Sequence, residues 1–237
     1  KKLDLGIDMS TGTGWPFGGP QVTEKTASMK VLLERYNPDP DQRPFLTAIP
    51  KDPKAKLACL IAVSGDGRRI DLTDQAQDRK IQWQVPEGSW TVYELSVRCP
   101  IQRVKRAAPG GEGYVVDPYS VAALDSYLSE FDKSFSEFKG ILPRAHFHDS
   151  FEYFDANWTP DFFNEFKKRR GYDLRDHIEA FFGDSSSEIV ARVKSDYRET
   201  ISDLHIAYIQ RWAQWCRRYG SRCRNQAHGA PANLIDL

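Results

Sequence analysis

The chain has 237 residues and a mass of 27.1 kDa, with 33 basic and 33 acidic side chains and a net charge of zero. That balance argues against a protein that carpets nucleic-acid phosphates, which needs a basic excess, and no apolar run approaches the ~18 residues of a membrane span. A 12% share of aromatic residues excludes a disordered tail and suits one large domain, or one with a small insert.

Residues 3–9 alternate as a buried strand and run into Ser10-Thr-Gly-Thr-Gly-Trp-Pro-Phe-Gly-Gly-Pro20. The glycines free the backbone for close approach, but no lysine follows at phosphate-loop spacing. The loop is expected to hold Trp15 and Phe17 at the rim of a site. Lys1 rather than Met stands first, and residues 233–237 look like an element just beginning. The chain is therefore expected to be a piece of a longer protein, with strands missing on both sides.

Residues 57–108 read differently. Leu57 to Val63, a Ser64-Gly-Asp-Gly turn and a return over residues 69–72 predict one hairpin. Ile81, Trp83 and Val85, a Pro86-Glu-Gly-Ser turn, then Thr91, Tyr93, Leu95 and Val97 predict a second. Asp117-Pro118 is a helix start, followed by an apolar stripe from Val121 to Phe135 that Gly140 stops. A short strand, Arg144-Ala-His-Phe-His-Asp149, comes next. Thr159-Pro-Asp161 opens another helix closed by Gly171, and a short one ends at Gly183. A capping box from Ser185 to Glu188 begins a helix of about 34 residues, long enough to predict a bend or break. Residues 221–227 form a last, unusually polar strand.

Strands alternating with amphipathic helices indicate a parallel α/β arrangement. The expected architecture is a partial (β/α)8 TIM-type barrel carrying a small antiparallel β insertion. Residues 1–56 begin the barrel with the Gly-rich strand-end loop, residues 57–108 form the inserted β-hairpin subdomain, and residues 109–237 continue the barrel. Cys59, Cys99, Cys216 and Cys223 show no C-x-x-C spacing, so they are expected to be buried free thiols rather than zinc ligands.

The most informative stretch is Asp149-Ser-Phe-Glu152, just past a strand and just before a helix. Glycoside hydrolysis needs one carboxylic acid to protonate the leaving oxygen and a second carboxylate to activate water or attack the sugar. A neighbouring charge keeps such an acid protonated, and Asp149 is spaced to supply it. The plainer reading, a capped turn with a solvated glutamate, stays open. His146-x-His148 puts two imidazoles on one face of a strand, which offers a metal-dependent hydrolase as an alternative, with His228 a further ligand. His228 before Gly229 is equally suited to a sugar hydroxyl or a structural turn. Trp15 and Trp158, in loops near strand ends, suit stacking on a sugar or local packing. Trp212 and Trp215 lie on a helical stripe and belong to the core.

Three stretches together resemble glycoside hydrolase family 106, the bacterial α-L-rhamnosidases. They are Leu5-Gly-Ile-Asp-Met-Ser-Thr-Gly-Thr-Gly-Trp-Pro-Phe-Gly-Gly-Pro20, His148-Asp-Ser-Phe-Glu152 with Ala156-Asn-Trp-Thr-Pro-Asp-Phe162 and Lys168-Arg-Arg-Gly-Tyr-Asp173, and Arg224-Asn-Gln-Ala-His-Gly-Ala-Pro-Ala-Asn-Leu-Ile-Asp236. The resemblance implies a (β/α)8 catalytic domain in a large multidomain protein. It implies inverting hydrolysis of terminal α-L-rhamnosides and a calcium ion near the sugar. Glu152 maps onto the general acid and Asp149 onto an acid-tuning or sugar-binding residue. Trp15, Asn157, Trp158, Asn225 and His228 are the expected sugar contacts. The calcium ligands are not selected by spacing, although Asp8, Asp149 and Asn225 are chemically possible. The family's base is a glutamate well downstream, which places it beyond residue 237 and leaves the chain alone with little activity. The expected partners are a rhamnose-containing glycan or glycoside and the remaining domains, and the expected location is periplasmic or extracellular. A non-catalytic carbohydrate-binding or pseudo-enzyme role is the remaining alternative.

Overall fold

The structure is a computed structural model that describes residues 5–39, 41, 44–153 and 155–233. The expected strand start at Leu3 and the last four residues, 234–237, lie outside the described residues. In chain order the strands are β1 (Asp8–Ser10), β2 (Gly18–Gly19), β3 (Lys30–Tyr36), β4 (Phe45–Ala48), β5 (Ala55–Ser64), β6 (Arg69–Asp71), β7 (Lys80–Trp83), β8 (Trp90–Arg98), β9 (Tyr114–Val115), β10 (Ala145–His148) and β11 (Arg222–Asn225). The helices are α1 (Val121–Glu137), α2 (Phe162–Arg170), α3 (Ile178–Phe182) and α4 (Ser187–Arg218). Among the described residues no helix is long and apolar enough to cross a membrane. The chain divides into two compact units, residues 1–29, 100–159 and 201–237 in one, and residues 30–99 and 160–200 in the other.

In the first unit β1, β10 and β11 form a parallel sheet in that order, with Met9 opposite His146 and His148 opposite Asn225. Parallel neighbours need a crossover between them, and helices lie between these strands in the sequence, so the fold is mixed α/β. The described residues form no closed barrel. Helix α1 starts later than expected. Ser120 is its cap, the hydroxyl accepting the Ala123 N–H at 3.1 Å. Helix α4 begins after Ser186 rather than Ser185 and runs for 32 residues without a break, one of the two outcomes expected of a helix this long, a bend being the other. Its ends are held apart by no internal glycine or proline, so nothing in its sequence interrupts the hydrogen-bond ladder.

Asp117, expected to cap α1, is instead a buried carboxyl, 1% exposed. It accepts the Thr159 hydroxyl at 2.7 Å and the Tyr119 N–H at 2.9 Å. Burial pushes its pKa up to about 7, against those two bonds. A carboxyl raised in the fold holds its proton more tightly there than in the unfolded chain. Its stabilising contribution is complete below the unfolded value, near 4, and is lost as pH rises through about 7. Wild type should therefore lose about 2–3 kcal/mol relative to Asp117→Asn between pH 5 and pH 8. Urea denaturation of both proteins at the two pH values checks this, and parallel pH profiles would contradict it.

The second unit holds an antiparallel sheet in the order β3-β8-β5-β6 and a separate β4–β7 pair. Ile49, Leu60, Leu72, Ile81, Trp83, Trp90 and Val92 form its buried core. The first expected hairpin is present as β5 and β6. The second is not. β7 pairs with β4, Ile81 opposite Thr47, and β8 lies between β3 and β5. The sheet also begins at Lys30, ahead of residue 57. Period-two alternation identifies the buried face of a strand but not its neighbour. Of the four cysteines, Cys59 and Cys216 are buried, whereas Cys223 is exposed.

Candidate active site

Strand β10 aims alternate side chains inward, and both His146 and His148 are fully buried. His148 stacks on Phe17 at 4.1 Å and 17°, with its Nδ1 2.9 Å from the Asp149 carbonyl oxygen. Burial pushes its pKa down to about 3, so the ring is neutral. His146 packs between Phe135 and Trp215 at 5.7 and 4.9 Å. The alternative metal site on these two residues is not formed, because both rings are walled in by aromatic side chains. Among the described residues no group of three histidine, cysteine or acidic side chains can hold a metal ion.

Beyond His148 the chain leaves the sheet. Asp149 is half-buried and its Oδ1 accepts the Ser150 N–H at 2.8 Å. The Phe151 N–H donates to the His228 carbonyl at 2.7 Å, which ties this turn to the segment after β11. The Glu152 side chain is 27% exposed, and its Oε1 lies 3.7 Å from Nε2 of the exposed His228. That separation is too long for a hydrogen bond but within ion-pair reach of a protonated ring. Gly229 adopts φ +75°, and a Cβ there would stand 3.2 Å from the Phe151 oxygen and 3.4 Å from Glu152 Cγ. A glycine lets this segment lie against the glutamate.

The Gly-rich loop is held by pairing with a remote segment. Trp15 and Lys105 exchange both backbone hydrogen bonds, at 3.0 and 2.7 Å. A Cβ on Gly14 would lie 2.5 Å from the Lys105 carbonyl oxygen, so the approach requires glycine. The Trp15 indole N–H donates to Ser150 Oγ at 2.5 Å, and Lys105 Nζ stands 4.7 Å from the ring centroid. Phe17, expected at the rim, is 1% exposed and belongs to the core.

These segments enclose a cleft of about 550 Å³ lined by Ser10, Trp15, Lys105, Arg106, Asp149, Glu152 and Gln226. Glu152 also borders a second cleft of about 270 Å³, with Tyr119, Tyr153, Asp155 and Gly229. Arg106, Asp155 and Ala227 have φ of +58°, +63° and +45°. Such conformations are costly for residues other than glycine and concentrate where function requires them. Arg106 and Asp155 each line one of the two clefts and Ala227 follows the cleft residue Gln226, whereas Asp78 and Arg79 share this conformation and line neither.

The expected residues Trp15, Asp149 and Glu152 thus come together, with His228 beside Glu152. Three others do not join them. Trp158 is 3% exposed and pairs through its backbone with Met29, so its ring offers no open face to a sugar. Asn157 is half-buried, donates its N–H to the Met29 oxygen at 3.1 Å and lines neither cleft. Asn225 ends β11 opposite His148, and the next residue, Gln226, reaches the cleft instead. Ser150, Lys105 and Arg106 were missed. The Pro109-Gly110-Gly111 run marks a loop after the two cations, but nothing local says which loop it meets.

Residues 51–223 match glycoside hydrolase family 106, described as alpha-L-rhamnosidase. A protein of Formosa agariphila named "Putative beta-glucuronidase" is 30% identical over 194 residues, covering 78% of this chain and 17% of that protein. The solved structure of a rhamnosidase from Novosphingobium sp. PP1Y superposes with a TM-score of 0.54 at 25% identity, covering 70% of this chain and 17% of that one. The chain thus spans about 17% of the length of each of these relatives.

Proposed function

The chain belongs to glycoside hydrolase family 106, the alpha-L-rhamnosidases, and from that premise we propose that it supplies the general acid and part of the sugar site of an inverting α-L-rhamnosidase. The observation that carries the proposal is the position of Glu152. It stands just past the C-terminal end of a parallel strand, partly open to solvent, in a cleft shared with Asp149 and Trp15. Strand ends of this kind deliver catalytic side chains in barrel enzymes, and the three parallel strands are read as part of such a barrel.

In the proposed step Glu152 gives its proton to the glycosidic oxygen as the bond to the sugar carbon breaks. A second carboxylate draws a proton from the attacking water on the opposite face. An inverting pair stands ~6.5–9.5 Å apart across the sugar. Following the family resemblance, Asp149 is assigned to the sugar or to Glu152, and the base to a glutamate elsewhere in the full-length protein. Trp15, fixed by Ser150 and Lys105, forms a wall against which a sugar packs.

For the calcium that the family resemblance implies, the described residues offer no group of three acidic, histidine or cysteine side chains. Asp8, one candidate, accepts from Arg144 at 2.9 Å and from Arg224 at 2.7 Å. The ion's ligands are assigned to other parts of the full-length protein. The same resemblance supports action in the periplasm or outside the cell.

The test is incubation of the full-length protein with an aryl α-L-rhamnoside and an aryl β-D-glucuronide, followed by proton NMR. Rhamnose should be released with its β anomer appearing first. The α anomer first would refute inversion. Turnover of the glucuronide alone would favour the second reading, suggested by the name of the Formosa relative.

A further inference from the structure

We propose that Arg106, with Lys105 beside it, makes the cleft next to Glu152 a site for a glycan bearing an oxyanion, either a uronic carboxylate or a sulfate ester, adjacent to the sugar being released. This rests on reading the cleft as a glycoside hydrolase site. The first observation is placement. Arg106 and Lys105 line the same 550 Å³ cleft as Asp149 and Glu152. That volume is typical of clefts for drug-sized ligands and leaves room for more than one sugar.

The second observation is pairing. Arg35, Arg98, Arg144, Arg175, Arg211, Arg218 and Arg224 each meet a carboxylate. Arg106 is exposed and has no hydrogen bond or ion pair among the described residues, and none joins it to Asp149 or Glu152. Its guanidinium therefore has no protein acceptor among the described residues and is left open to the cleft. Five fixed N–H donors with no acceptor are poorly matched to a neutral sugar, whose hydroxyls both donate and accept. They suit a carboxylate or sulfate, which only accepts. Ser10, Thr13 and Gln226 already provide two-way hydrogen-bonding groups in the cleft.

The third observation is that the cation pair is held in place. The Lys105 backbone is bonded to Trp15 on both sides, and its ammonium stands over that indole. Arg106 follows directly with φ +58°, a conformation that persists only where the surroundings impose it.

The experiment uses the full-length protein with Glu152→Gln, so that ligands survive titration. Calorimetry compares a rhamnosyl-glucuronic acid with its uncharged methyl ester, and a rhamnoside sulfate with the unsulfated parent. At least one anionic ligand should bind ten-fold or more tightly than its neutral partner, and which one does so identifies the oxyanion. Adding Arg106→Gln should bring that ratio near one, and Arg106→Lys should restore part of it. Raising salt from 0.05 to 0.5 M should shrink it without any substitution at 106. Equal binding of charged and neutral partners, no binding of either, or a ratio that survives Arg106→Gln overturns the proposal. Failure of the rhamnosidase reading looks different. The unsubstituted protein would release no rhamnose from an aryl rhamnoside while the charged-over-neutral binding ratio persisted.

Discussion

Glu152→Gln in the full-length protein is expected to lower kcat on a natural rhamnoside by roughly 10²–10⁴-fold, the usual worth of a positioned general acid. The amide keeps the shape and hydrogen-bonding reach of the side chain but has no proton to give. The defect should shrink by an order of magnitude or more on a dinitrophenyl rhamnoside, whose leaving group departs without protonation. KM should change little, because the lost interaction belongs to the transition state. The position of Glu152 explains why the residue suits this work. Its main chain is fixed on both sides, by the Phe151 bond to His228 and by Gln102, whose side-chain amide donates to the Glu152 carbonyl at 3.1 Å. The carboxyl itself faces the clefts. Equal losses on natural and activated substrates would refute the acid role.

Gly18→Ala is expected to be strongly destabilising, costing about 3 kcal/mol or more. A Cβ on Gly18 would stand 2.2 Å from the Tyr114 carbonyl oxygen and 2.9 Å from Val115 Cα. Backbone of strand β9 cannot yield as a flexible side chain would, so the β2–β9 pair must open. The Gly18 carbonyl also lies 2.8 Å from the buried Tyr127 hydroxyl, which reaches the Thr11 carbonyl at 2.6 Å. A shift of β2 therefore spreads into the loop that carries Trp15. Gly67→Ala is the control. Its φ is +88° and nothing lies within 4 Å of the added atom, so only backbone strain is incurred, ~1–2 kcal/mol. Denaturant unfolding of the two variants should separate steric from conformational cost, and equal losses would contradict the account.

Local chemistry was largely legible in the residues. The caps at Gly171 and Gly183 fall where expected, both left-handed at φ +83° and +99°. The β5–β6 turn does too, and the strand expected over residues 144–149 is present as Ala145–His148, with Asp149 and Glu152 just beyond its end. The family named by the three motifs is the one that residues 51–223 match. Errors arose where a residue's partner is remote. Asp117 has the sequence of a helix cap but meets Thr159, forty-two positions away. Trp158 and Phe17 look like rim aromatics in a loop-rich string, yet both are interior. His146 and His148 have ligand spacing, and that same alternation turns both into the aromatic core.

The order of residues by itself determined the periodicities, the turns and the pair of carboxylates that follows a strand, since these depend on neighbours a few positions away. Only the tertiary structure decided that β7 joins β4, that Lys105 crosses ninety residues to meet Trp15, and that Gly229 lies against Glu152. The physical reason is that closing a long loop costs only slightly more than closing a short one. Distant segments therefore compete for a strand edge or a glycine gap on nearly equal terms with near ones, and packing rather than spacing selects among them.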